Sequence, residues 1–149
     1  MAIEAADYPS AALRHLRDAE HLAASGDHHS PDQAWHLAGF AVECGRKAFL
    51  RDGWIAKLLG HDFQDAGELV LQVALALDPR AGRFPIEDWS ARAPAMRSWR
   101  PDHRYERTGA VARDRARDLA ALLTQARELL DQVLLALALE GSLALEPGA

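Results

Sequence analysis

Apolar residues recur every three or four positions along most of this chain, and the places where that rhythm stops divide it into four helical stretches. Ala12, Leu16, Ala19 and Ala23 share one face of a segment that should run from about Pro9 to Ser25, with Gly26 as its stop. Ser30-Pro31-Asp32-Gln33 reads as a capping box with proline in the first turn of a second helix. Its stripe is Ala34, Leu37, Ala38, Ala41, Gly45, Ala48 and Phe49, and Asp52-Gly53 marks its end. A third helix is predicted from Asp62 to Leu77, burying Ala66, Leu69, Val70, Val73 and Leu77. Asp78-Pro79 terminates it, because a residue before proline avoids the helical region.

The last helix is predicted over Gly109 to Leu139. Ala112, Ala116, Leu119, Leu123, Ala126, Leu130, Val133 and Leu137 alternate spacings of four and three, which is a heptad seam. Leu122, Leu129, Leu134 and Leu135 lie off the seam, so this helix should be central to a bundle or shared with a second subunit. The tail from Gly141 to Ala149 should fray. Between the third and last helices, Asp78 to Thr108 forms a long link rich in Pro and Arg, with room for a short helix within Ile86 to Met96. The expected architecture is all-α: one domain over residues 1–149, an up-and-down four-helix bundle with a long connection before the last helix.

Composition supports helix and narrows the function. Hydrophobic residues make up 49% of 149 positions, and Leu and Ala outnumber β-branched residues. The net charge of -5 argues against binding long nucleic acid through bulk charge, though not against a local basic patch. Cys44 is the single cysteine, so no internal disulfide forms, and its apolar surroundings suggest an inert buried thiol. Residues Met1 to Tyr8 lack a basic stretch followed by an apolar run, and no membrane-length apolar run occurs, so the expectation is a cytoplasmic chain with no membrane partner.

The link concentrates the candidate chemistry. Arg92, Arg97, Arg100, His103, Arg104 and Arg107 are interleaved with Trp89, Trp99 and Tyr105. Guanidinium groups bind phosphate and aromatic faces stack on bases, so this could be a nucleotide or RNA site. Alternatively, the rings anchor the link to the bundle while Asp88, Asp102 and Glu106 neutralise the arginines. Glu43 and Lys47 stand four apart in the favourable order for an ion pair. His28, His29, His36 and His61 do not fall at metal-ligand spacings, and no glycine-rich phosphate loop occurs, so neither metal nor cofactor is expected. Gly45, inside a helix, suggests a close helix approach.

Several segments resemble the HEPN family of helical nucleotide-binding and ribonuclease-related domains. "YPSAALRHLRDAEHL" (residues 8–22) is similar to the family's first helix, and "LAGFAVECGRKAFL" (37–50) to its "AGYAVECALKALL" pattern. Gly60-His61-Asp62-Phe63 resembles the "GHDL" that opens its third helix, and Trp99 to Tyr105 resembles a "W-x-P-x-x-RY" element before the last. The resemblance implies a four-helix homodimer, often beside a small nucleotidyltransferase in toxin–antitoxin modules. Glu43, Lys47, His61, Asp62, Arg104 and Tyr105 match its polar signature. They could line a cleft with Trp99 and Arg100, or form a buried structural network.

The ribonuclease branch carries an Arg and, four to six residues later, a His on its last helix; the His accepts the 2′-hydroxyl proton and the Arg stabilises phosphate charge. Here Arg97 and His103 have that spacing, but Pro101 interrupts any helix through both and the final helix has no His. The expected function is therefore a non-catalytic module binding a nucleotide, RNA or a nucleotidyltransferase. The alternative is a metal-independent endoribonuclease toxin using Arg97 and His103.

Overall fold

The computed structural model describes residues 6–50, 56–57, 59–61, 65–78 and 88–142, and among them every regular element is helical. Helix α1 spans Tyr8–Ala23, α2 Pro31–Lys47 and α3 Asp65–Leu77. The link then forms a single turn, α4 (Trp89–Arg92), and two 3₁₀ turns, Pro94–Arg97 and Pro101–Tyr105. Two helices follow, α5 (Ala110–Asp114) and α6 (Ala116–Glu140). No described helix is long and apolar enough to cross a membrane.

Helix α1 begins where the Asp7 carboxylate accepts the Ser10 amide at 3.0 Å, and Pro9 sits in its first turn. Ala12, Leu16 and Ala19 are buried as their spacing predicts. They meet the small residues Ala34, Ala38 and Ala41 of α2, and the absence of bulk there lets the two helices pack closely over a broad contact. Gly45 serves the approach of α6: a methyl group added there would stand 3.0 Å from Leu130 Cδ1.

The predicted capping box of α2 does not form. Ser30 makes no side-chain cap bond. Asp32 instead reaches across the molecule, accepting the amides of Gly109 at 2.7 Å and Val111 at 3.0 Å. It thus caps α5, a carboxylate at another helix's N-terminus, where backbone donors have no partner of their own. Helix α2 ends at Lys47, short of the Asp52-Gly53 stop, of which both residues lie outside the described ones.

Helix α3 is turned relative to the expected orientation. Leu71 and Ala74 enter the core, whereas Leu69 (66% exposed), Val73 and Leu77 face outward. Gln72 is the single polar residue between Leu69 and Leu77, so periodicity could not select a face. The expected start at Asp62 lies outside the described residues.

The last helix is broken at Arg115, with φ -133° and ψ 20°. The Arg115 amide closes α5 on the Val111 carbonyl, and its own carbonyl opens α6 by accepting the Leu119 amide, each at 2.8 Å. Ala112 and Ala116, the first two seam positions, are consequently exposed, and the buried seam starts at Leu119. The off-seam leucines Leu122 and Leu129 are buried within the chain, which leaves Leu135 and Leu139 as the exposed apolar excess of α6.

The link is anchored by hydrophobic residues at its turns: Trp89, Ala93, Met96 and Trp99 are all buried. Gln125 of α6 accepts the Ala95 amide at 3.1 Å, and Gln132, two turns on, accepts from Arg92. Trp99 lies flat against the α2 backbone at Gly39, where an added Cβ would come within 2.1 Å of the indole. No side chain other than hydrogen fits there. Gly39→Ala is expected to cost about 3 kcal/mol in urea unfolding, the upper end of overpacking penalties. In the background of Trp99→Leu that penalty should shrink by more than half; equal penalties in both backgrounds would contradict the contact.

Candidate functional site

One edge of α2 carries polar and aromatic residues at helical spacing: Asp32, His36, Phe40, Glu43 and Lys47. The link folds over this edge, with Trp99 at its centre. The Phe40 ring meets Trp99 edge-on with centroids 5.2 Å apart and His36 edge-on at 4.7 Å; His15 and His61 each lie 6.1 Å away. Phe40 therefore separates two polar centres on one face, about 10 Å apart at helical rise.

The centre toward the C-terminus of α2 is buried at Glu43 and Lys47 and reaches the surface at His61. Glu43 is 4% exposed. Its Oε1 accepts from Lys47 Nζ at 2.8 Å, and its Oε2 lies 2.5 Å from His61 Nδ1. Both carboxylate oxygens are thus engaged, as a buried carboxylate requires. Of the expected polar signature, Glu43, Lys47 and His61 come together around the Glu43 carboxylate; Asp62 lies outside the described residues. Cys44, beside this network, has a thiol pushed up to about 11 by burial first and the Glu43 charge second, so it stays protonated and unreactive.

The centre toward the N-terminus is an open cleft of about 370 Å³. Ser30, Asp32, Gln33 and His36 form its α2 wall, and His103, Arg104, Tyr105, Glu106 and Thr108 the other. The buried Trp35 indole donates from Nε1 to His103 Nδ1 at 2.9 Å, and the Arg100 amide approaches the same nitrogen at 3.3 Å. Arg104 lies over the Tyr105 ring, 4.7 Å from its centroid, and Tyr105 is 73% exposed. Glu106 is engaged by Arg115 through a two-pronged contact at 2.5 and 3.0 Å, which holds its carboxyl below the usual range. Asp32 is occupied by its two amides. Arg104 has no carboxylate partner among the described residues, and its guanidinium stands at the cleft mouth.

Of the two readings of the link's rings, the anchoring one fits Trp89 and Trp99, which are 1% and 2% exposed and belong to the core, whereas Tyr105 is exposed. Two expectations are corrected here. Arg100 turns to the backbone, donating to the carbonyls of Arg97 and Trp99 at 3.1 and 2.9 Å. Arg97 is exposed and does not line the cleft that contains His103, so the Arg97–His103 pair is not assembled around one ligand position. The arginines Arg92 and Arg115 are structural. Sequence reasoning missed Trp35, His36 and Phe40, although Asp32, His36 and Phe40 at successive spacings of four mark one helix edge.

His103 has a defined protonation. Indole nitrogen can only donate, so Nδ1 must accept and a neutral ring carries its proton on Nε2. Nε2 makes no hydrogen bond among the described residues and stands 4.0 Å from Glu106. No group of three or more His, Cys, Asp or Glu among the described residues is placed to hold a metal ion. The chain matches no family model, no curated protein and no solved structure.

His15, His36 and His103 all hold their pKa below the ordinary imidazole value, in each case chiefly through burial; nearby Arg14, Arg104 and Arg115, respectively, add to it. The unfolded chain therefore binds more protons than the folded one below about pH 6.5, and stability falls as pH drops through that value. The melting temperature at about pH 5.5 should lie below that at about pH 7.5, and His36→Gln should flatten the slope. A melting temperature that rises on acidification would contradict this.

Proposed function

We propose that this chain is a HEPN-type helical module that binds a nucleotide, free or at the end of an RNA, in the cleft between α2 and residues 103–108, without turning it over. In this reading α1, α2, α3 and α6 are the four members of an up-and-down bundle, and the link is the lid of its binding face. The observation that carries it is Arg104 stacked on the exposed Tyr105 ring at the mouth of a cleft whose two carboxylates are already occupied. A phosphate would take the guanidinium and a base the phenol ring.

The absence of turnover follows from His103. A general base needs a free lone pair facing the proton it removes. The lone pair on Nδ1 is occupied by Trp35, and Nε2 holds the proton. Exposed Leu135 and Leu139 on α6, with Leu69, Val73 and Leu77 on α3, agree with the pairing the resemblance implies, whether with a second copy of the chain or a small nucleotidyltransferase.

Titration calorimetry with adenosine monophosphate tests the reading. Arg104→Ala and Tyr105→Ala should each weaken binding by roughly tenfold, the value of one charge-assisted contact or one stacked ring. RNA incubated with the protein and a chelator should stay intact. No binding at millimolar nucleotide would sink the proposal, and metal-independent cleavage lost in both Arg97→Ala and His103→Ala would replace it with the ribonuclease.

A further inference from the structure

We infer that Trp35 is a positioning residue that locks His103 as a neutral hydrogen-bond donor facing the cleft, so that a bound phosphate is read by one neutral donor, His103 Nε2–H, beside one cation, Arg104. The ligand named here rests on the nucleotide reading above; the lock does not.

Trp35 is wholly buried, and its indole N–H has one acceptor, His103 Nδ1 at 2.9 Å, with the two rings stacked 6.1 Å apart. Turning the imidazole to its other tautomer, or protonating it, would set two N–H groups against each other in a buried place and strand the indole donor. Each unmade buried bond of this kind carries a penalty comparable to the desolvation of the group. The Arg100 amide at 3.3 Å adds a second donor to the same nitrogen. Among the described residues, the charges that act on the ring lie on its own turn, just after it, and at the α5–α6 break. Arg100 and Asp102 lie on its own turn, Glu106 follows that turn, and Arg115 sits at the α5–α6 break; Arg115 and Arg100 oppose a cation, while Glu106 and Asp102 favour one. The side chain that faces the ring from α2 is the neutral Trp35. The result is a histidine whose outward nitrogen always offers hydrogen. A histidine in free tautomeric exchange would present a lone pair to phosphate oxygens for part of the time and repel them.

The test uses long-range proton–nitrogen correlation spectra of the histidine rings across a pH titration of the full chain. In the wild type, His103 should show the Nε2–H tautomer alone at neutral pH. In Trp35→Phe, which keeps an aromatic ring and removes the donor, both tautomers should appear and the ring should titrate at higher pH. Adenosine monophosphate should bind Trp35→Phe roughly tenfold more weakly at about pH 7.5, and the deficit should narrow on acidification as His103 gains its outward proton. His36 and the phosphate titrate in both proteins, so the difference between them isolates His103. His103→Asn provides a second arm should Trp35→Phe fold poorly: its amide oxygen can accept from Trp35 while its NH2 group ends one bond short of the Nε2 position, so stability should hold and affinity fall. A wild-type His103 protonated on Nδ1, or doubly protonated, at neutral pH would overturn the lock. Correct tautomers in both proteins with equal nucleotide affinity would overturn its role in recognition. Correct tautomers with no nucleotide binding to the wild type would leave the lock standing and remove the nucleotide reading.

Discussion

The close approach of the Trp99 indole to the α2 backbone at Gly39 is the constraint on which the functional face depends. A helix normally keeps its neighbours at the distance of a Cβ and whatever lies beyond it. Here the missing methyl group lets a large flat ring lie directly on the helix, burying Trp99 and bringing residues 100–108 along with it. Phe40, the next residue, and His36, one turn back, then close against the indole. Once that contact is made, His103 is within reach of Trp35, and Asp32 is within reach of the first turn of α5. The link becomes a set of tight turns, the first two holding Trp89 and Met96 in the core and the third following the buried Trp99.

The electrostatics of the face follow from which carboxylates are spoken for. The chain has a net charge of -5, yet the cleft mouth is not acidic in effect. Asp32 holds two amides, Glu106 holds Arg115, and Glu43 holds Lys47 and His61 on the far side of Phe40. Opposite charges matched one by one leave Arg104 without a partner among the described residues, and it rests on Tyr105 instead. Arg104 is exposed, so water sustains its charge and a partner would add little to folding. Its place beside the cleft is what the proposed phosphate contact would use.

Much of the scaffold was legible in the chain. The starts and buried stripes of α1 and α2 follow from Pro9, Pro31 and spacings of three and four, and Glu43–Lys47 pairing follows from their order on the helix. Gly45 read correctly as a site of close helix approach. The failures share a cause: each depends on a partner distant in sequence. Asp32 read as part of a local capping box, but the amides it accepts lie 77 and 79 residues away. Helix α3 is apolar nearly all round, so its orientation is set by its neighbours. The break at Arg115 lies inside an unbroken heptad pattern and coincides with the Glu106 contact. For Trp99 the sequence left stacking on a ligand and anchoring to the bundle both open, while Gly39, the residue that decides between them, reads in sequence as one more helical glycine.

The central claim is that the Trp99 ring lies on the α2 backbone at Gly39 in solution. The α-protons of Gly39 report on it most directly, because they sit beneath the indole face. At least one of them should show a strong upfield ring-current displacement, with nuclear Overhauser contacts to the Trp99 ring protons. Gly39 α-protons at ordinary helical shifts, without contacts to that ring, would contradict it.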